Sequence, residues 1–182
     1  MGNVLITADS PCDLGESLQS RYQLHYYPYH IILDGKEYTD GVDITPDDLF
    51  KAYRERKLLP KTAAIGIGEY MDFLRPLVEQ GFEIVHFCLG SALSAAYQNC
   101  CAAAEELGHV YPVDAHSLST GIGLQVIEAA EMARTGLSAA EIQTEAKKVT
   151  DRSHASFILD TLEFMHAGGR CSTVAALGAN LL

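Results

Sequence analysis

Two serines that follow an apolar segment in the middle of the chain form its most informative pattern for chemistry. The apolar residues 84–89 end at Gly90, Ser91 and Ser94 come next, and a helical pattern begins at Ala95. This order predicts a buried parallel strand, a tight turn with hydroxyl groups, and a helix whose N-terminus faces the turn. Backbone N–H groups and the positive end of the helix dipole would let such a junction bind a carboxylate or a phosphate.

Small polar side chains follow three other predicted strands as well. They are Asp9 with Ser10, Thr62, and Asp114 with Ser117. Ligands of open α/β sheets bind beyond the carboxyl ends of the strands, so these groups would share one edge with Ser91 and Ser94. Taken one at a time, each group is more often a helix cap than a ligand. Their joint position at four strand ends favours a binding site.

The sequence Gly168-Gly169-Arg170 offers a further contact for an anion. Two glycines allow the backbone to approach a ligand closely, and the guanidinium supplies planar donors for a carboxylate or a phosphate. A helix cap followed by a surface arginine explains the same residues equally well. We therefore treat Arg170 as a contributor to a ligand site, with the cap as the open alternative.

The sequence lacks the motifs of common catalytic sites. Residues 90–93 do not match the G-x-S-x-G of a serine hydrolase, and no G-K-[ST] marks a P-loop. The G-x-G sequences at 66–68 and 121–123 lack the third glycine of a dinucleotide site. A binding protein is the favoured interpretation. A small acyl- or phosphotransferase that uses Ser94 or Ser91 is the alternative, and an interaction module in which the serines only cap helices is a third.

Zinc is the metal that the histidine and cysteines would suit. His86 and Cys88 fall on one face of a predicted strand, and Cys100 and Cys101 follow in an alanine-rich helix. Residues of these types in such elements belong more often to the core than to a metal site. The sequence therefore predicts no metal ligands and no cofactor.

The composition limits the partners of the chain. Its 182 residues are 48% hydrophobic and carry a net charge of −11, which suits a domain with a real core but not binding to nucleic acid or an anionic membrane. No apolar run approaches the roughly 20 residues that cross a bilayer, so stable membrane insertion is not expected. Five cysteines without a C-x-x-C, together with a first segment unlike a signal peptide, predict a cytoplasmic protein.

Strands that alternate with helices indicate an α/β domain, with a mainly parallel sheet and helices on both of its faces. Strands are predicted at residues 4–8, 84–89, 109–113 and 156–159, extended segments at 24–33 and 61–65, and a hairpin turn at Asp34-Gly35. Helices are predicted at residues 14–22, 45–57, 69–80, 121–134, 162–166 and 172–182, with another after Ala95, and with Thr45 and Ser138 as N-caps. The last helix is apolar and needs a cover, which a second copy in a homodimer could provide.

Several spaced motifs together resemble the DegV family, whose members are the fatty-acid-binding subunits of bacterial fatty acid kinase. In chain order they are Asp9-Ser10 with Cys12-Asp13-Leu14, Asp40-Gly41 with Asp43-Ile44, Leu93-Ser94 with Tyr97-Gln98, and Gly168-Gly169-Arg170. The chain resembles a family member without the usual C-terminal region. We therefore expect a DegV-like N-terminal domain over residues 1–160 and the start of a second, truncated domain over residues 161–182.

The resemblance implies a binding protein rather than an enzyme. A family member buries one long-chain fatty acid, with the tail in an apolar tunnel between its two domains, and a separate kinase subunit phosphorylates the carboxylate to an acyl phosphate. Carried over by motif, Thr62 and Ser94 would bind the carboxylate, and Arg170 would contribute. Ala95-Ala96 stand where the family usually has Gly-Thr, and residues 63–65 stand where it has Ser-Gln-Pro, so fewer hydroxyls surround the head group.

Overall fold

The structure, a computed structural model, describes residues 3–167 and 169–172. The described chain divides into two compact units, one within Met1–Tyr27 and Ala64–Ala155 and the other within Pro28–Ala63 and Ser156–Leu182. These units do not follow the predicted division after residue 160. The reason is that residues 28–63 form an antiparallel sheet and a helix with a core of their own.

Strands and helices alternate along most of the chain. The strands are β1 (Val4–Asp9), β2 (His25–Tyr27), β3 (His30–Leu33), β4 (Lys36–Thr39), β5 (Lys61–Ala63), β6 (Glu83–Cys88) and β7 (Val110–Asp114). The helices are α1 (Glu16–Tyr22), α2 (Pro46–Arg56), α3 (Ile67–Glu79), α4 (Ala96–Leu107), α5 (Thr120–Arg134), α6 (Ala139–Thr150) and α7 (Glu163–Ala167). A short 3₁₀ turn spans Ser10–Cys12. None of the helices described in the structure combines the length and apolar character needed to cross a membrane.

The first unit is built on a parallel sheet with the strand order β2-β1-β6-β7. Thr7 of β1 pairs with His86 of β6, and Phe87 pairs with Val113 of β7. Side chains alternate between the faces of a strand, so Phe87 and His86 lie on opposite sides of the sheet. Phe87 packs in an apolar cluster with residues of α5 and α6, whereas His86 contacts the ring of Tyr70 from α3. The predicted α/β fold, with helices on both faces, is therefore confirmed.

The second unit contains an antiparallel sheet in the order β4-β3-β5. Asp34 and Gly35 connect β3 to β4 with φ angles of 55° and 75°, which is the left-handed backbone of the predicted hairpin turn. Ile31, Leu33 and Ile44 form the buried core of this unit. The turn sets the register of β3 and β4, and Ile31 and Leu33, two residues apart in β3, lie on the same buried face.

Local side-chain signals set the start of two helices. The Thr45 hydroxyl accepts a hydrogen bond from the Asp48 N–H, and the Asp48 carboxylate accepts one from the Thr45 N–H at 2.9 Å. Ser138 and Glu141 form the same reciprocal pair, also at 2.9 Å. These hydrogen bonds from the Ser138 hydroxyl and backbone lower the pKa of Glu141. Both predicted N-caps are confirmed.

The predicted strand at residues 156–159 is wrong. The segment forms no strand in the structure, and Ile158 is 98% exposed. A short apolar run has the sequence of a buried strand, but it forms one only where a neighbouring strand satisfies its backbone groups. No strand of the described chain pairs with it. The predicted short helix that follows is confirmed as α7, while the predicted helix at 172–182 lies, from residue 173, outside the described residues.

Candidate functional site

Three adjacent parallel strands, β1, β6 and β7, deliver polar residues to one edge of the first unit. The strands end at Asp9, Cys88 and Asp114, so the loops that follow them are neighbours. The Leu89 N–H donates a hydrogen bond to Asp9 Oδ2 at 2.8 Å, and the Ser91 N–H donates one to Asp114 Oδ1 at 3.0 Å. The turn after β6 is thus held between carboxylates from the strands on either side of it.

Gly90 allows the loops after β6 and β7 to touch. Its N–H donates a hydrogen bond to the Ser117 carbonyl oxygen at 3.0 Å. A Cβ atom at Gly90 would lie 2.9 Å from the backbone nitrogen of Ser117, which is too close for any other residue without movement. The structure therefore brings the loop of Ser91 and Ser94 against the loop of Ser117, as the sequence predicts for the carboxyl edge of a parallel sheet.

Ser94 lies at the entrance to α4 and is half-buried. Its Oγ accepts a hydrogen bond from the Ala96 N–H at 3.2 Å, which is a capping contact. A hydroxyl donates as well as accepts, so this contact does not by itself remove Ser94 as a carboxylate ligand. Ala95 is the N-cap residue of α4 and makes no side-chain cap. The capping alternative and the ligand hypothesis are therefore compatible at this residue.

Asp9 has an interior position at the same edge. Its carboxylate is fully buried and accepts hydrogen bonds from the Tyr70 hydroxyl at 2.7 Å and the Leu89 N–H at 2.8 Å. His86 Nε2 lies 3.1 Å from Asp9 Oδ1, and His86 Nδ1 lies 2.7 Å from the hydroxyl oxygen of Thr7. Asp9 therefore holds the turn after β6 from inside, whereas its position at a strand end predicts a group that faces a ligand.

Burial and charge shift the proton affinity of His86 in opposite directions. Burial by itself lowers the pKa of this histidine, but the nearby Cys100 and the Asp9 carboxylate outweigh burial and raise the pKa above its ordinary value. Contact with the Asp9 carboxylate favours the form of the ring that carries the proton, and this opposes the effect of burial on the pKa.

Two cysteines lie beside His86. Cys88 ends β6 and Cys100 lies on α4, and one ligand atom of each of the three residues lies within 4.8 Å of the others. Burial raises the pKa of Cys88, whereas a hydrogen bond from Cys88 lowers the pKa of Cys100 against the effect of burial. All three side chains are buried, as the sequence analysis expects for core residues. The structure brings together three of the four residues that the sequence grouped as zinc donors.

Ser10 begins the 3₁₀ turn after β1 and is half-buried. Its carbonyl oxygen accepts a hydrogen bond from the Asp13 N–H at 3.3 Å, which closes the turn. Asp13 takes a left-handed φ of 50° at the end of this turn. Ser10 thus stands directly after Asp9 at the carboxyl end of β1, as predicted.

The remaining predicted residues, Thr62 and Arg170, belong to the second unit. The prediction that Thr62 shares the carboxyl edge of the parallel sheet is wrong, because β5 belongs to the antiparallel sheet. Thr62 lies in β5 opposite Ile31 and is exposed. Arg170 is exposed too, and its N–H donates a hydrogen bond to the Met165 carbonyl oxygen at 2.8 Å, closing the turn after α7. Gly169 has a φ of 75° in that turn, as the helix-cap alternative requires.

Sequence reasoning missed Tyr70, the hydroxyl donor to Asp9. The residue is fully buried on α3 with Leu74, one helical turn later, and this spacing does mark a core face. Its polar partner lies 61 residues earlier in the chain, so no local pattern could pair the two groups. The sequence does place a tyrosine on an apolar helix face. A buried tyrosine hydroxyl requires a hydrogen-bond acceptor, so this position predicts a polar partner in the core without identifying it.

Comparisons with known proteins agree with this architecture. A family model described as an uncharacterised protein family, the DegV family, matches residues 3–182. A DegV domain-containing protein of Caldanaerobacter subterraneus subsp. tengcongensis is 29% identical over 184 residues, which cover 100% of this chain and 65% of that protein. The match therefore extends along the whole chain.

Two solved structures share the fold at more than a quarter sequence identity. A structure described as the fatty acid binding of a DegV family protein from Thermus thermophilus has a TM-score of 0.86 and 29% identity, covering 99% of this chain and 65% of that one. A protein from Eubacterium ventriosum described as binding stearic acid has a TM-score of 0.80 and 26% identity, covering 96% and 63%. The chain spans about two thirds of the length of these relatives.

Proposed function

The chain belongs to the DegV family, and from this membership we propose that it binds one long-chain fatty acid. The observation that carries the proposal is the likeness, over nearly the whole chain, to a Thermus thermophilus protein described as binding fatty acid. The Eubacterium ventriosum protein, described as binding stearic acid, adds a second relative whose ligand is a saturated long-chain acid.

Ser94 is the donor that we propose for the fatty-acid carboxylate. It stands at the N-terminus of α4, where backbone N–H groups and the helix dipole also favour a negative charge. Hydrogen bonds to a charged carboxylate are stronger than those between neutral groups, so a few donors suffice. Ser91 and Ser117 lie in the loops after β6 and β7, which the Gly90 hydrogen bond joins. Their hydroxyls are the additional donors that we propose for the carboxylate in the first unit.

Thr62 is the second hydroxyl of the proposal, and it rests on the family motif. It is exposed on β5, so its hydroxyl does not have to leave a packed core to contact a ligand. Arg170, also exposed, is the cationic contributor. We assign Asp9 to the support of the head-group turn, because its carboxylate is buried and binds the Leu89 N–H, and keep Ser10 as a contributor at the end of β1.

The apolar tail supplies most of the affinity in this proposal. Burial of each methylene contributes about 0.8 kcal/mol, so a dozen methylenes contribute roughly 10 kcal/mol before the cost of ordering the tail. A ligand of this kind needs few polar contacts. The loss of family hydroxyls at Ala95 and Ala96 is therefore compatible with tight binding of a long acid.

We propose that the bound acid is a substrate for another protein rather than for this chain. Hydroxyls at a strand edge can hold a carboxylate, and a separate kinase subunit would transfer phosphate to it to form an acyl phosphate. The absence of nucleophile and phosphate-binding motifs from the sequence supports this division of labour. A transferase that uses Ser94 or Ser91 is the alternative, and it would turn over an ester or acyl phosphate without a partner.

Lipid extraction from the purified full-length protein tests the binding proposal directly. Mass spectrometry of the extract should find long-chain fatty acid at about one molecule per protein, and delipidated protein should take up added oleate or stearate. A protein that is repeatedly free of acyl chains and takes up neither acid would overturn the proposal. Hydrolysis of acetyl phosphate or a nitrophenyl ester, lost on Ser94→Ala, would favour the transferase instead.

A further inference from the structure

The His86, Cys88 and Cys100 cluster has the composition and spacing of a metal site. One nitrogen and two sulfur atoms lie within 4.8 Å of one another. Zn–S distances of about 2.3 Å and Zn–N distances of about 2.0 Å place the ligands of a tetrahedral zinc ion roughly 3.5 to 3.8 Å apart. The three donors are thus near the required separation, and small side-chain rotations would complete the approach.

The elements that carry the donors are rigid. Cys88 is the last residue of β6, which pairs with strands on both sides, and His86 lies two residues earlier on the same face. Cys100 faces them from the middle of α4. A site whose ligands come from a central strand and a helix holds its geometry better than one built on loops.

The geometry fits an ion bound to His86 Nε2, which leaves Nδ1 with Thr7 Oγ1 as its acceptor. Nδ1 lies 2.7 Å from Thr7 Oγ1, and Nε2 lies 3.1 Å from Asp9 Oδ1. Histidine ligands of metals regularly donate their other N–H to a carboxylate or another oxygen, which fixes the ring. Thr7 is itself fully buried, so this orienting contact is shielded from water.

We propose that His86, Cys88 and Cys100 bind one zinc ion, and that the Asp9 carboxylate, 3.1 Å from His86 Nε2, supplies the fourth ligand in place of its hydrogen bond with that nitrogen. Two thiolates, a neutral imidazole and a carboxylate are the donors that a divalent ion of borderline softness prefers. Binding releases the two thiol protons to solvent, and the thiolates neutralise the charge of the ion. The role is structural, because all four side chains are buried under the turn that carries Ser94.

Complete burial also determines how the ion would enter. The folded core offers no exposed donor among the three residues, so the site fills while the chain folds and empties only when it opens. The bound ion would then stabilise the folded state by mass action. This inference does not rest on fatty-acid binding, and either proposal can fail while the other holds.

The test is the metal content of the full-length protein expressed in zinc-supplemented medium. We expect about one zinc per chain by mass spectrometry of the elements, and a fall of at least tenfold in Cys88→Ser and in Cys100→Ser, since even orienting residues change metal affinity by roughly 10- to 100-fold. The matched controls are Cys101→Ser, next to Cys100 on α4, and Cys12→Ser, a buried cysteine packed in another cluster. Both controls should keep their zinc.

X-ray absorption of the zinc-loaded wild-type protein keeps the proposal testable if the serine variants do not fold. We expect two sulfur neighbours and a histidine nitrogen around the ion. A coordination shell of oxygen and nitrogen alone would overturn the proposal. It would also be overturned by wild-type protein without stoichiometric zinc, by equal loss in Cys101→Ser, or by an intact mass showing Cys88 and Cys100 joined in a disulfide.

Discussion

The carboxylate of Asp9 and the backbone N–H of Leu89 lie 2.8 Å apart, and this hydrogen bond connects the end of β1 to the turn that carries Ser91 and Ser94. The same carboxylate receives the hydroxyl of Tyr70 and contacts His86. One buried acid therefore sets the position of the turn. We expect its removal to lower the stability of the fold.

Asp9→Ala should lower the free energy of unfolding by about 3 kcal/mol, because it leaves buried donors of Tyr70, His86 and Leu89 without an acceptor. Chemical denaturation measures this value. Asp72→Ala, at an exposed position of α3, is the matched control and should change stability by no more than about 0.5 kcal/mol. Equal small effects of the two substitutions would show that the Asp9 network does not support the fold.

Ser94→Ala should weaken fatty-acid binding by roughly 10- to 100-fold, which is the loss of one hydrogen bond to a charged group, worth about 1.5 to 3 kcal/mol. Titration of delipidated full-length protein with oleate measures the affinity. Ser20→Ala, an exposed serine on α1, should bind like the wild type. Unchanged affinity in Ser94→Ala would remove this residue from the head-group site.

Thr62→Val tests the second hydroxyl separately. It keeps the shape of the side chain and the β-branched character that suits β5, so the sheet should be preserved. If Thr62 donates to the carboxylate, we expect a loss of affinity of the same order as for Ser94→Ala. A Thr62→Ser variant, which restores the hydroxyl, should recover most of the binding. Equal affinities for the valine and serine variants would contradict the assignment.

Gly90→Ala should destabilise the protein by about 1 to 3 kcal/mol, since the added methyl group must push the Ser117 backbone away. Gly68→Ala provides a control of opposite sign. Gly68 lies in α3 with nothing within 4 Å of a built Cβ atom, so alanine there should raise stability by up to about 1 kcal/mol. Denaturant midpoints distinguish the two. A stabilised Gly90→Ala protein would mean that the loops after β6 and β7 can separate freely.

Acid should weaken the start of α6. The pKa of Glu141 is lowered by hydrogen bonds from the hydroxyl and backbone of Ser138, so its contribution to stability is present above the unfolded pKa. It is lost as the pH falls through the lowered, folded value. We therefore expect Glu141→Gln to melt below the wild type at pH 7, with the difference in melting temperature shrinking in acid. A difference that is constant with pH would contradict this cause.

The helix starts were predictable because a cap is a local feature. Thr45 with Asp48 and Ser138 with Glu141 are each three residues apart, so one turn of chain contains the whole interaction. The strands of the parallel sheet were predictable for a similar reason, because a buried strand has a continuous apolar run within one short stretch of sequence. The strand predicted at residues 156–159 is wrong because an apolar run forms a strand only beside a partner strand. The local sequence does not show whether such a partner is present.

The buried polar network could not be predicted residue by residue. His86 and Cys88 share a strand, but Cys100 meets them only through the packing of α4 on the sheet. Asp9 looked like a ligand-edge residue because it ends a strand, yet its side chain turns into the core toward Tyr70. Strand-end position placed Asp9, Ser91 and Ser117 at one edge of the parallel sheet but misplaced Thr62, and side-chain packing decided which groups face inward.

The strand order β2-β1-β6-β7 has a consequence for the location of any ligand. The chain crosses the sheet in one direction after β1 and in the other after β6, so this pair of strands is the topological switch point. Leu18 of α1 packs on the α5 and α6 side, whereas α4 brings Cys100 to the opposite face. Connections that leave adjacent strands toward opposite faces open a crevice between them. The connectivity would therefore set the position of a ligand that binds in this crevice, and loop substitutions would alter which ligand binds without moving the site.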